Sequence, residues 1–259
     1  MRIHHEIAFR ALRPVLPGAG RRPRTIFVIG CMRSGSSMLS HVLIANDGIA
    51  GYGESHVHYT DPRSISELGY WIFRFGGRLP RRDIYMLDKV LHRSHMPHPE
   101  RVVPWCDPKF VFMLRRPEGN IVSLARLFYD GAPPDEAKLA HAADYYINRL
   151  GEICAFIGAL PAGLPCLTVR YDSLVAHPQE DLGRLTAFLG LRQPLSEQYR
   201  LTSTTGKWGV GDGSENIRSG RILRREAAAQ DAPDIPRLDE ARAAHDRVTA
   251  LLQARGGRP

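Results

Sequence analysis

The residues best placed to do chemistry fall in four separated clusters. Gly30 and Gly35 bracket a short loop that holds Arg33 and Ser34, with Ser36 and Ser37 directly after it. Glycines at this spacing let backbone N–H groups close on an anion, and Arg33 adds a cation beside them. Ser36 stands where the lysine of a nucleoside-triphosphate loop would reach the terminal phosphates. The loop therefore suits an anionic ligand with no triphosphate and no bound magnesium. Glu54 follows Gly51-Tyr52-Gly53, and a carboxylate just past a strand end, near a phosphate loop, is placed for proton abstraction. His56 and His58 are alternative bases. Lys89 is one of only four lysines in a chain that otherwise fills its basic positions with arginine, so a compact point charge is wanted there. Arg115 and, eight residues on, Ser123 offer a guanidinium fork and a hydroxyl to one phosphate dianion.

These groups need strands that end near one another. Thr25–Ile29 is β-branched or aromatic throughout and has no polar residue past Thr25, the pattern of a strand buried on both faces. The apolar spacing of Met38, Leu39, Val42 and Leu43 continues it as a helix that Asn46-Asp47-Gly48 ends. Strand, glycine loop and helix make a cradle in which the helix dipole favours an anion. Short strands are expected at Ile49–Tyr52 and Tyr85–Leu87, and a second buried strand at Lys109–Leu114. Pro117 opens a helix that carries Ser123. Residues 63–76 and Asp135–Leu160 read as helices, and the His- and Pro-rich stretch 92–108 as an irregular loop. Cys166–Val169 is a further strand, Pro178–Leu189 a helix with Gly190 behind it, and Arg237–Gln253 a closing helix. Alternating strands and helices predict a single α/β domain over residues 25–254, with a central parallel sheet flanked by helices. Residues 1–24 are a basic, proline-broken lead-in with a short helix at most.

Arg33-Ser34-Gly35-Ser36-Ser37 resembles the 5′-phosphosulfate loop of sulfotransferases that use 3′-phosphoadenosine 5′-phosphosulfate. A strand followed by Arg115 and then Ser123 resembles the second signature of that family, whose Arg and Ser bind the 3′-phosphate. The two occur in order, about eighty residues apart. The resemblance, closest to the bacterial and tyrosylprotein members, spans roughly residues 25–221 and implies the P-loop-type sulfotransferase fold. It implies Glu54 as general base, with Lys89 and Arg33 as catalytic cations. It places Tyr171, within Arg170-Tyr171-Asp172-Ser173-Leu174, near the adenosine. It also makes the Gly-, Ser- and Thr-rich stretch 202–221 a lid over the donor, with Lys207 and Trp208 at its centre and Arg218 and Arg221 as further phosphate contacts. The family often carries a basic residue four positions after the serine; here Leu127 stands there, so the third contact must come from elsewhere, with Arg126 beside it one candidate. The implied reaction is sulfuryl transfer to a hydroxyl or amine of a glycan, lipid or small molecule, without a metal. Two rival classes are a P-loop kinase and a non-catalytic nucleotide-binding protein; the former lacks its lysine here.

Over 259 residues the net charge is +8, which suits anionic partners. No aromatic-interleaved basic stripe points to nucleic acid. No apolar run is long enough to span a bilayer and no signal peptide is read at the start. Weak contact of the N-terminal segment with an anionic membrane surface is the most that the lead-in supports. Cys31, Cys106, Cys154 and Cys166 lack the spacing of a disulfide frame or zinc site and fit reduced thiols of a cytoplasmic protein. His56, His58, His92, His95 and His98 are numerous enough for a metal, but lack ligand spacing.

Overall fold

The computed structural model describes residues 3–16, 22–81, 83–207, 212, 214–224 and 234–256. Five strands, β1 (Arg24–Gly30), β2 (Ile49–Ala50), β3 (Tyr85–Val90), β4 (Asp107–Leu114) and β5 (Cys166–Arg170), form one sheet in the order β2-β3-β1-β4-β5. Every pairing is parallel. The chain leaves β1 towards β2 and β3 on one side, then returns to β4 on the other. The C-terminal end of β1 is thus the switch point where a parallel sheet opens a crevice. Register places Lys89 beside Val28 and Met113 beside Gly30, so β3 and β4 both deliver their last residues to that crevice.

Ten helices connect and cover the strands among the described residues: α1 (Ile3–Leu12), α2 (Ser36–Ile44), α3 (Arg63–Gly76), α4 (Pro99–Trp105) and α5 (Pro117–Phe128), then α6 (Glu136–Ala159), α7 (Tyr171–Ala176), α8 (Pro178–Leu189), α9 (Glu215–Arg218) and α10 (Leu238–Ala254). Successive side chains of β1 feed two cores, as the period of two in a strand demands. Ile26 and Val28 pack with Leu39, Leu43 and Leu185 of α2 and α8. Phe27 and Ile29 pack with Ile65, Ile121, Leu150 and Val248 of α3, α5, α6 and α10.

Several elements differ from the sequence expectation. β2 ends at Ala50 rather than Tyr52, and Gly51 follows it packed closely against Ile44 and Leu87, 3.1 Å from where a Cβ would lie. β3 runs past Leu87 through Asp88 and Lys89 to Val90 and is buried throughout. Both charged residues stay in the strand because each has fixed partners, described below. Residues 92–108 are not irregular: a tight turn at Arg93–His95 precedes α4. The side chain of Arg22 holds the C-terminal end of α4, donating to Cys106 O at 2.8 and 3.0 Å and to Val103 O at 2.6 Å. α7 is an additional short helix directly after β5. In the lead-in, α1 buries Phe9 fully, 5.8 Å from the Tyr70 ring of α3. The four cysteines are free thiols, and burial pushes Cys31 up to about 12.

Candidate active site

The loop after β1 is shaped by what it cannot accommodate. A Cβ on Gly30 would lie 2.8 Å from the Met113 carbonyl oxygen, so β1 and β4 meet there backbone to backbone. Arg33 and Gly35 both have positive φ, 63° and 95°, which coils the loop tightly. A Cβ on Gly35 would fall 2.4 Å from Tyr171 Cδ2 and 2.9 Å from Met113 Cε. Only glycine fits, and Tyr171 thereby sits against the loop. Gly35 caps α2 without any side-chain acceptor, so the first-turn N–H groups of α2 remain open to an anion. Ser34 Oγ is buried and has no hydrogen-bond partner among the described residues. A buried hydroxyl without a partner is costly, and an anion in the loop would satisfy it.

Carbonyl oxygens would repel such an anion, and side chains from α5, α6 and the residue after β4 take them up. Asn120 Nδ2 donates to Met32 O at 2.9 Å and Arg115 Nη1 to Arg33 O at 3.0 Å. Arg149, only 2% exposed, donates through Nε to Gly30 O at 3.0 Å and through Nη2 to Val90 O at 3.1 Å. Its Nη1 pairs with Glu152 at 3.0 Å. One buried guanidinium therefore ties the ends of β1 and β3 together.

The cations predicted for the anion converge. Arg33 Nε donates to Ser123 Oγ at 3.0 Å, and its Nη1 pairs with Asp212 Oδ2 at 2.9 Å. The Arg115 guanidinium lies 4.4 Å from the centre of the Tyr171 ring, close enough for a cation–π contact. Arg33, Ser34, Arg115, Ser123 and Tyr171 thus form one cluster around Gly35, and α2 adds Ser36 (buried) and Ser37. Arg126 is exposed on α5.

On the β3 side, Lys89 Nζ donates to Ser37 Oγ at 3.0 Å and pairs with Glu54 Oε1 at 3.1 Å. The side chains of Lys89 and Glu54 are 3% and 11% exposed, so this pair is dry and well defined. Ser37 joins it to the anion loop. Asp88 points to the opposite face of β3 and organises the segment that carries Glu54. Its Oδ1 accepts from Ser55 N at 2.9 Å and its Oδ2 from Tyr59 OH at 2.6 Å. Burial raises its pKa to about 6 against the lowering effect of those bonds. Both oxygens of Asp88 are taken up by the protein, unlike those of a magnesium-binding aspartate.

Next to Glu54 lies a group of imidazoles. His92 Nε2 is 3.7 Å from Glu54 Oε2, and ring centres of His56, His58, His92 and His95 lie 4.6–6.4 Å from their neighbours. Burial lowers His92, and it holds His95 at about 4 together with the neighbouring rings. His98 stands apart near Glu100. Among the described residues no group of three or more His, Cys, Asp or Glu side chains is arranged to hold a metal ion.

The expected lid is anchored at its near end. His41 on α2 donates through Nδ1 to Ser37 O at 2.7 Å, and its Nε2 accepts from Thr205 Oγ1 at 2.8 Å. The carbonyl partner fixes this tautomer, because a carbonyl oxygen can only accept. Ser203 Oγ donates to Phe75 O at 2.6 Å, and Thr204 Oγ1 bonds to Tyr52 O. Lys207 closes a turn through its N–H to Thr204 O, with its side chain exposed. Trp208 lies outside the described residues. Arg218 is in α9, and Arg221 bridges Gln198. Sequence reasoning does not find Arg149, Asn120, Asp88, His41 or Asp212 as site residues, and it weighs His92 only as one of five histidines for a metal. Arg149 carries a signal all the same: it breaks the apolar stripe of α6 between Tyr146 and Leu150.

No protein-family model matches the sequence, and no curated protein does. Solved structures do match. The chain is similar to the sulfotransferase domain from the curacin biosynthetic pathway, with a TM-score of 0.58 and 17% identity over 92% of this chain and 99% of that one. A sulfotransferase from Alicyclobacillus acidocaldarius gives 0.53 and 14% over 92% and 98%. A sulfotransferase from Mycobacterium tuberculosis H37Rv gives 0.51 and 15% over 73% of each chain. At such identities the likeness speaks for architecture: this chain is a single α/β domain with the sulfotransferase fold.

Proposed function

We propose that the protein transfers a sulfuryl group from 3′-phosphoadenosine 5′-phosphosulfate to an acceptor hydroxyl or amine. The observation that carries this reading is the link through Ser37: one hydroxyl joins the anion loop to a buried Lys89–Glu54 pair. A binding protein has no need of a dry carboxylate beside an anion site. The fully paired oxygens of Asp88 and the serine at position 36 argue against a magnesium-dependent kinase.

The residues fit such a donor. The unpartnered Ser34 hydroxyl and the open first turn of α2, with Ser36 and Ser37, would hold the 5′-phosphosulfate. Arg115 and Ser123 would hold the 3′-phosphate, and Tyr171 would contact the adenosine. Lys207 and Trp208 remain candidates for the closing loop. The donor supplies an activated sulfuryl group. Glu54 takes the acceptor proton, while Lys89 and Arg33 stabilise negative charge on the sulfuryl oxygens and the leaving phosphate. Such transfer rests on positioning and electrostatics. The acceptor is a glycan, lipid or small molecule. No helix among the described residues is long and apolar enough to cross a membrane.

Calorimetry with adenosine 3′,5′-bisphosphate and with ATP–Mg, followed by turnover of labelled sulfuryl donor on cell extracts, tests the reading. Tight bisphosphate binding and label transfer are expected. Preferred binding of ATP–Mg supports a kinase, and bisphosphate binding without transfer supports a non-catalytic role.

A further inference from the structure

We infer that His92 is the exit for the proton that Glu54 takes from the acceptor, a role that rests on Glu54 being the base. Glu54 is only 11% exposed and one of its oxygens is held by Lys89. Once protonated, such a carboxyl has no direct contact with bulk water through that side. Its other oxygen faces His92 Nε2 at 3.7 Å, and His92 is 41% exposed. That separation is longer than a hydrogen bond. Contacts of this kind tighten when substrate closes the site.

The proton path balances. As the acceptor oxygen bonds to sulfur, its proton moves to Glu54 Oε2, and the sulfur–oxygen bond to the bisphosphate breaks. Glu54 then passes the proton to His92 Nε2, and the imidazolium releases one to water. The carboxylate is restored for the next acceptor. His92 touches only Glu54 in this scheme, so it is a positioning and relay residue.

The charge around His92 supports the direction of travel. It is faced by the carboxylate of Glu54, which favours its protonated form, and by Lys89 of β3, Arg149 of α6 and His56, which oppose it. His95 joins the same cluster from the turn after β3, with His58 beyond it. Burial and these cations disfavour the protonated form of His92. The neighbouring rings of His56 and His95, 6.4 and 6.3 Å from it, extend towards solvent.

Two measurements test the relay. The first is a nitrogen-15 titration of the His92 imidazole in the full chain with adenosine 3′,5′-bisphosphate present. Its midpoint should fall by about half a unit or more in Glu54→Gln, because a facing carboxylate is lost. An unchanged midpoint overturns the coupling. The second is turnover of His92→Asn. The maximal rate should fall with little change in acceptor KM, and added imidazole should restore it by about tenfold or more, since a free base replaces the missing one. A loss that imidazole does not restore overturns the relay while leaving Glu54 as base. Full turnover in Glu54→Gln overturns the base and the relay together.

Discussion

The two sides of the crevice hold their polar groups in different ways. On the β1–β4 side, donors are left open among the described residues: Ser34 Oγ has no partner, the first turn of α2 has no side-chain cap, and Arg33 is paired to a carboxylate that is itself partly exposed. On the β3 side nearly everything is already paired. Lys89 is held by Ser37 and Glu54, and Asp88 by Ser55 and Tyr59, with Lys89, Asp88 and Tyr59 themselves buried. A site that must bind and release a multiply charged ligand keeps its donors open. A site that must present one base at a fixed point ties them down, and loses little because no multiply charged ligand has to be bound and released there.

If that division holds, substitutions on the two sides should separate binding from turnover. Glu54→Gln should lower the maximal rate by about 10²–10⁴-fold, the range for loss of a general base. Bisphosphate affinity should stay within about threefold, because Gln still accepts from Lys89 and spares the buried ammonium an unpaired state. Rate measurements at saturating donor together with calorimetry decide it. A parallel fall in affinity would place Glu54 on the donor side and erase the distinction.

Arg115→Ala probes the other side. Loss of a charge-assisted contact to the 3′-phosphate should weaken bisphosphate binding by about 2–4 kcal/mol. Adenosine 5′-phosphosulfate should bind the unmodified protein much more weakly than the full donor. Unchanged affinity in the variant removes the 3′-phosphate from Arg115.

How much of the molecule is legible in its sequence follows the same division. The loop from Gly30 to Ser37 is contiguous, and its glycines are demanded by the local clash with Met113 and Tyr171, so its sequence pattern is its shape. β1, β4 and the helices behind them are legible for the same reason: long apolar runs with a clear period. Glu54 and Lys89 are readable as charged residues that follow short apolar runs. Their pairing is not, since it depends on β2 and β3 being neighbours in the sheet. The supports come from farther still. Arg149 reaches Gly30 across 119 residues and Asp212 reaches Arg33 across 179, and no local pattern encodes such contacts. The tight turn and helix within residues 92–108 stay hidden because prolines, which usually mark loops, here start α4 and sit within it.

Asp88 tests whether the β3 side is fixed before any ligand arrives. Its carboxyl titrates at about 6 in the folded chain against 3.8 ordinarily. Between those values the folded protein keeps a proton that the unfolded chain gives up, so stability falls as pH rises through this window. Above it the full cost is present, about 1–3 kcal/mol. Asp88→Asn removes the charge and retains an acceptor for Ser55 N. Urea unfolding at pH 4.5 and 7.5 should show the variant gaining on the unmodified protein at the higher pH. A difference between the two proteins that does not change with pH means that Asp88 is charged throughout.

Asp212 gives the smallest expected effect and the most direct test of the donor side. Its Oδ2 holds Arg33 Nη1 at 2.9 Å, and its Oδ1 accepts from Ser214 N at 2.9 Å. The two side chains are 28% and 23% exposed, so solvent screens the pair and it is worth about 0.2–1 kcal/mol. On the proposed reading, an arriving phosphosulfate would compete with this carboxylate for the same guanidinium. Asp212→Asn keeps the acceptor for Ser214 N and removes only the charge. Bisphosphate affinity should rise by up to about fivefold, the equivalent of that energy, with the largest gain at low salt. A fall in affinity reverses the interpretation: Asp212 would then be holding Arg33 in its binding pose, and the donor side would be built in advance just like the base side.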